Sequence, residues 1–134
     1  MRWTIEFGGD PQDVTVTTSG EATPEGFARM NAEVVGDRRF RPGMVVLLDH
    51  TDLVVDELSS QDVSAIANDF VRHDAELGSS VVALVAPEPV QFGLARMSIL
   101  LAEPATPAIR AFYTRAEALE WLRQMREDRS AATT

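Results

Sequence analysis

Two segments near the N-terminus alternate between apolar and polar positions. Residues 2–7 and residues 13–18 place apolar side chains at every second position, which is typical of strands with one buried face. Residues 8–11 between them read Gly-Gly-Asp-Pro, a composition that favours a turn. The pattern predicts an N-terminal antiparallel hairpin.

Three later segments are predicted strands, and two of them are apolar without alternation. Residues 44–49 form an apolar run that ends in Asp49, and residues 80–86 are almost entirely apolar. Continuous apolar runs indicate burial on both faces, as in the interior of a parallel sheet. We predict that residues 44–49 are the central strand, that residues 80–86 are a second interior strand, and that residues 108–112 are a short last strand.

Helical signals lie between these strands. Thr23 before Pro24 is a favoured helix start, and Thr114 with Glu117 forms a capping box. A second helix is expected from about Ser60 to Gly78, a third over residues 88–102, and a fourth after Thr114. The third helix is apolar almost all round, which predicts either deep burial or a partner subunit, so we expect a homodimer. Gly93 within this helix predicts close packing against another backbone.

The elements follow the order β-β-α-β-α-β-α-β-α. This order predicts an α/β fold in which the hairpin is followed by successive β-α units. The expected result is a mixed, mostly parallel five-stranded sheet with about four helices. We expect one domain over residues 1–127 and a disordered polar tail over residues 128–134.

Composition removes several classes of function. The net charge is −9, which disfavours nucleic acid as a partner because an acidic surface repels phosphates. The sequence has no cysteine, which excludes disulfides and thiolate chemistry, and no lysine, which excludes a Schiff base. The first residues lack the apolar core of a signal peptide, and no apolar run approaches the ~20 residues of a membrane span. We therefore expect a cytoplasmic protein.

Candidate chemistry lies where the predicted central strand ends. Asp49, His50 and Asp52 follow one another at the carboxyl end of that strand, which is where open α/β sheets place ligands. Adjacent strand residues point to opposite faces, so Asp49 and His50 are not expected to converge. The simpler interpretation is that Asp49 caps loop amides and that His50 lies on the surface.

A long loop completes this region. Residues 50–59 are expected to form a ten-residue loop that packs down as a flap, with Leu53 and Asp56 as further candidate contacts for a ligand or partner. The other histidine, His73, lies far along the second helix, ~20 Å from its start at 1.5 Å per residue. We expect no catalytic residue, no metal site and no cofactor.

Four segments together are familiar: residues 45–49, the loop that leads into Ser59 and Ser60, residues 92–97 (Phe-Gly-Leu-Ala-Arg-Met), and residues 117–122 (Glu-Ala-Leu-Glu-Trp-Leu). They resemble the STAS-like, or SpoIIAA-like, proteins, a group related to the sporulation anti-sigma-factor antagonist and to the lipid-carrying Sec14 type. The resemblance covers nearly the whole chain. It implies a fold of successive β-α turns that wind in one direction.

The resemblance draws attention to one serine pair. The antagonists carry Asp-Ser-Ser-Gly at the start of the second helix, where a partner kinase phosphorylates a serine. Here the stretch reads Leu58-Ser59-Ser60-Gln61, so the leading Asp and the trailing Gly are both absent. Ser59 and Ser60 are candidate phosphoacceptors or partner contacts. The structural alternative is that a hydroxyl caps the helix, a contribution of ~1 kcal/mol.

Two functions of different classes are compatible with these observations. The first is a non-enzymatic regulatory or protein-interaction module that contacts its partner through the 50–60 loop and the start of the second helix. The alternative is a carrier or sensor of a small apolar or lipid-like ligand, which the Sec14 side of the resemblance implies. In that case the apolar flap and the third helix enclose the ligand.

Overall fold

The computed structural model describes residues 1–133. Within this range the chain forms five strands and five helices, and after the N-terminal hairpin they alternate except for two consecutive helices between the third and fourth strands. The strands are β1 (Arg2–Phe7), β2 (Val14–Glu21), β3 (Val45–Val54), β4 (Val81–Val85) and β5 (Ala108–Phe112). The helices are α1 (Pro24–Gly36), α2 (Ser60–Arg72), α3 (Asp74–Leu77), α4 (Pro89–Leu101) and α5 (Arg115–Thr133).

The five strands form one sheet in the order β1-β2-β3-β4-β5. β1 pairs with β2 in antiparallel fashion, and the other three pairings are parallel. The α/β class, the hairpin and the mixed, mostly parallel sheet predicted from the sequence are therefore confirmed. The helix count is five rather than four, because the predicted second helix is interrupted at His73 and its last turn is the separate α3.

Helices cover both faces of the sheet, which explains the apolar runs in β3 and β4. Val46 and Val82 face α1 and α2, where they pack with Met30 and other apolar side chains of these helices. Their chain neighbours point to the opposite face and pack against Ala118 and Leu122 of α5. Every position of β4 is buried as a result. Apolar and polar residues therefore do not alternate along this strand.

The central strand is longer than expected. β3 continues to Val54, so residues 50–54 are strand, and the predicted ten-residue loop is reduced to residues 55–59. The added length is paired on one side only: Ser19, Gly20 and Glu21 of β2 lie opposite it, whereas β4 stops pairing at Asp49. The apolar content that suggested a flap belongs in part to this one-sided strand.

The predicted tail is also wrong where the structure describes it. α5 runs through residues 128–133, and Thr134 lies outside the described residues. Two arginines hold the helix against the sheet: Arg126 donates to Pro11 O at 2.6 Å, and Arg129 donates to Gly43 O at 2.6 Å. Arg129 also donates to Ser79 O. Arg129 of this segment thus contacts loop carbonyls, which the local sequence does not reveal.

Candidate functional site

Asp49 and His50 point to opposite faces of β3, as predicted. Asp49 lies on the α5 side, where its carboxylate accepts hydrogen bonds from Thr51 N at 3.0 Å and from Arg115 Nη1 at 3.0 Å. Burial raises the pKa of Asp49, but the hydrogen bonds from Thr51 and Arg115 outweigh it, so the pKa lies below its usual value. The carboxylate of Asp49 thus links β3 to Arg115, the first residue of α5.

His50 is buried, and the prediction that it lies on the surface is wrong. Only 7% of the residue is exposed, and its ring lies edge-to-face with Phe27 at a centroid distance of 5.7 Å. Nδ1 of the ring is 2.7 Å from Thr18 Oγ1. Burial lowers the pKa of His50 to about 4, although the nearby charge of Asp49 acts in the opposite direction. His50 is therefore neutral at neutral pH.

A cavity of about 90 Å³ lies in front of His50, between the sheet and the helices α1, α2 and α4. Its lining is almost wholly apolar and comes from parts of the chain that are distant in sequence. Leu48 and Leu84 form its floor on the sheet, Leu94 and Ile99 line it from α4, and Leu58 closes it from the 55–59 loop. A concave, mostly apolar space with a few polar groups is the usual form of a small-ligand site.

α4 lies over this cavity without deep packing. Among the residues of the helix, Gln91 alone is buried. Its side-chain Nε2 donates to Leu53 O at 2.7 Å and to His50 O at 3.2 Å, while its Oε1 accepts from Glu88 N at 2.9 Å. Gln91 therefore supplies the hydrogen bonds that β4 does not offer to the extended end of β3.

The outer side of α4 remains apolar and exposed. Val90, Leu100 and Leu101 are exposed large apolar side chains, and Tyr113 beside them stacks on Phe92 at a centroid distance of 3.8 Å. Gly93 is also exposed, and a Cβ added there would meet nothing within 4 Å. The expected close backbone contact at Gly93 is therefore absent within the described part of the chain.

The remaining candidate residues divide between the cavity and the surface. Leu53 is buried and lines the cavity, whereas Asp52 and Asp56 are exposed and face away from it. Ser59 is the N-cap of α2: its Oγ accepts from Asp62 N at 3.1 Å, and Asp62 Oδ2 accepts from Ser59 N at 3.0 Å. Ser60 is the exposed first residue of the helix.

Sequence reasoning missed Thr18, Phe27 and Gln91. Thr18 is separated from His50 by 32 positions and Gln91 by 41, so neither contact leaves a local pattern. The pair Glu88 and Gln91 does carry a signal, since its spacing matches that of a capping box before a helix. That signal marks the helix start but gives no indication that the same amide reaches β3.

Within residues 1–133, no three His, Asp or Glu side chains are grouped as a metal ion would require. The helices described here include none with the length and apolar character needed to cross a membrane. The site is thus a cavity with one neutral imidazole, two engaged amides and mostly apolar walls.

Comparison with known proteins supports the fold. A solved structure of an uncharacterized protein of the DUF3478 family from Shewanella loihica PV-4, described as having a SpoIIAA-like fold, aligns with a TM-score of 0.58. The alignment covers 90% of this chain and 92% of the other, at 22% sequence identity. No family model and no curated protein matches the sequence. The mixed five-stranded sheet, the succession of β-α units and this structural match show that the chain has the SpoIIAA-like fold.

Proposed function

We propose that the protein binds a small apolar molecule in the cavity in front of His50 and acts as its carrier or sensor. The observation that carries this proposal is the apolar space of about 90 Å³ between α4 and the sheet. Protein interiors are normally filled to the density of organic crystals. Side chains that border an unfilled space lack some of the packing contacts of a filled interior. A ligand in this space would supply such contacts.

The packing of α4 supports the same proposal. Leu94 and Ile99 face the cavity rather than a filled core, and both are only partly buried. A ligand in the cavity would bury these side chains further. The Sec14 side of the family resemblance agrees with an apolar ligand. The size of the space favours a single ring or a short chain over a long acyl chain.

A cavity-filling variant tests the proposal. We expect wild-type protein to bind toluene in an NMR titration, and Ala95→Leu to weaken this binding by about tenfold or more, because its side chain would occupy the cavity. Ala95 lines the cavity from α4. Ala32→Leu, the same change at an exposed position of α1, is the matched control and should leave the affinity unchanged.

Native mass spectrometry of freshly purified protein tests whether the protein retains a natural ligand. We expect a noncovalent adduct in the wild type that is absent from Ala95→Leu. If toluene does not bind the wild-type protein and no adduct is found, the carrier proposal is wrong.

A second candidate function is a regulatory module that contacts another protein. What supports it is the exposed apolar side of α4 together with the exposed Ser60 at the start of α2. A phosphate on Ser60 would lie at the positive end of a helix and would add up to about two negative charges there.

Phosphosite mapping tests this second candidate. After incubation with cell lysate and ATP, we expect phosphate on Ser60 and not on Ser59, because the Ser59 hydroxyl is engaged as the N-cap. Ser60→Ala should abolish the modification, and Ser59→Ala should preserve it. If both serines remain unmodified in the wild type, the analogy with the phosphorylated antagonists loses its mechanism.

A further inference from the structure

Few polar residues line the cavity, and the amides of two of them are already engaged. Its polar lining residues are Asn31, His50, Gln91 and Ser98. The Gln91 amide is used for backbone groups of β3 and of its own helix start. The Asn31 Nδ2 donates to Asp69 Oδ2 at 2.9 Å. These two amides are therefore poorly placed to form hydrogen bonds with a ligand. His50 is the group to consider for that role.

His50 has one engaged ring nitrogen and one free ring nitrogen. Nδ1 is held by Thr18 Oγ1 at 2.7 Å, whereas no residue in the range 1–133 forms a hydrogen bond with Nε2. The residue is 93% buried, being 7% exposed, and it lines the cavity. Nε2 is not sealed off by protein atoms as His73 Nδ1 is. A ligand group placed against Nε2 could provide the hydrogen-bond partner that no atom of residues 1–133 supplies.

Thr18 decides what kind of group fits. Its hydroxyl lies 2.7 Å from His50 Nδ1 and 3.3 Å from Asp49 O, and it has one proton to donate. If the proton goes to the carbonyl, the ring donates through Nδ1 and Nε2 is an acceptor. If it goes to the ring, Nε2 carries the hydrogen and is a donor. A hydroxyl group can both donate and accept, so it satisfies Nε2 in either tautomer.

The absence of charged residues from the described cavity lining excludes a ligand with a carboxylate group. The described residues that line the cavity include no Arg, Asp or Glu. A carboxylate placed there would be buried without an opposite charge, which is strongly unfavourable. The buried ring gives little help, because burial holds the pKa of His50 at about 4 and keeps it neutral.

We propose that the cavity selects an apolar alcohol, whose hydroxyl meets His50 Nε2, with Thr18 as the residue that positions the imidazole. This inference rests on the proposed function and adds the chemical class of the ligand. His50 would be the specificity-determining contact of the site, and Thr18 would act through it.

Three probes of similar shape separate the possibilities: toluene, benzyl alcohol and benzoate at pH 7. We expect benzyl alcohol to bind wild-type protein about tenfold or more tightly than benzoate, the equivalent of ~1.4 kcal/mol. In His50→Phe, benzyl alcohol should lose about tenfold in affinity, while the affinity for toluene should change by less than about twofold.

The ring itself provides a readout that needs no variant. The chain has two histidines, so a spectrum of ¹⁵N-labelled imidazoles contains two rings. Benzyl alcohol should shift the Nε2 signal of His50, toluene should shift it much less, and the His73 signals should not move. Thr18→Val should leave the fold intact but mix the two His50 tautomers, because the group that holds Nδ1 is gone.

The outcomes are distinct from those that test the carrier function. If toluene binds but benzyl alcohol neither shifts Nε2 nor depends on His50, the cavity binds apolar molecules and the alcohol proposal is wrong. Tighter binding of benzoate than of benzyl alcohol would likewise overturn it. If none of the three probes binds, the carrier function itself fails. Should His50→Phe not fold, the wild-type spectra and Thr18→Val still decide the question.

Discussion

Lowering the pH from 7 to 5 is expected to cost the native state about 2 kcal/mol through His50 alone. The pKa of His50 is about 4 in the folded protein and 6.5 without the fold. At pH values between these two, His50 is protonated in the unfolded chain and neutral in the folded chain. The free energy of unfolding therefore falls as the pH falls. This loss of stability is small above pH 6.5 and grows progressively as the pH falls toward 4. Urea denaturation at several pH values measures it.

Two variants isolate this effect from that of the carboxyl groups. His50→Phe should remove this loss of stability. The difference in the free energy of unfolding between wild type and variant should therefore shrink or change sign as the pH falls from 7 to 5. His73→Gln changes the other histidine of the chain and should retain the wild-type pH dependence. If the free energy of unfolding of His50→Phe falls with pH as steeply as that of the wild type, the imidazole is not the buried neutral group described above.

Replacing Leu122 by alanine is expected to lower the free energy of unfolding by about 3 kcal/mol. Leu122 is fully buried where α5 packs on the sheet, among Val45, Leu47 and Val81. The change removes apolar contacts and leaves a cavity that rigid strands cannot close. Urea unfolding at neutral pH is the measurement, with an unchanged dependence on urea concentration as the sign that only stability has changed.

Leu100→Ala is the matched control, because it makes the same chemical change on a helix at a residue that is 66% exposed. The expected loss is below about 0.5 kcal/mol. Similar losses at the two positions, together with a concentration-dependent unfolding midpoint, would indicate that a second copy covers the outer side of α4. That result would support the predicted homodimer. Equal losses without such a dependence would contradict the assignment of the core to the α5 face.

Most of the fold could be predicted because its signals are local. The alternation in residues 2–7, the apolar runs that became β3 and β4, and the cap at Thr23 each act over a few residues. The errors have a common cause. Each error concerns a feature that depends on partners elsewhere in the chain. The length of β3 depends on β2, the last turns of α5 contact loop carbonyls, and the His50 ring is buried against Thr18 and Phe27.

The candidate site was predicted less completely than the fold. The cavity lies beside His50, in the region that the sequence proposed as a candidate site, and the opposed directions of Asp49 and His50 follow from strand geometry alone. Which of the two residues faces a cavity could not be decided from the sequence. A strand that is apolar throughout gives no indication of which face will be closely packed and which will leave space.

By itself, the sequence determined the class of the fold and the order of its elements, because periodicity, caps and turns are properties of neighbouring residues. It also determined, through its composition, that thiol and lysine chemistry are absent. The tertiary structure alone decided that His50 is buried and neutral, that Thr18 holds one of its nitrogens, and that Gln91 joins α4 to β3. The contacts of Thr18 with His50 and of Gln91 with Leu53 join segments separated by more than 30 positions, and only the assembled sheet and helices bring them together around a cavity.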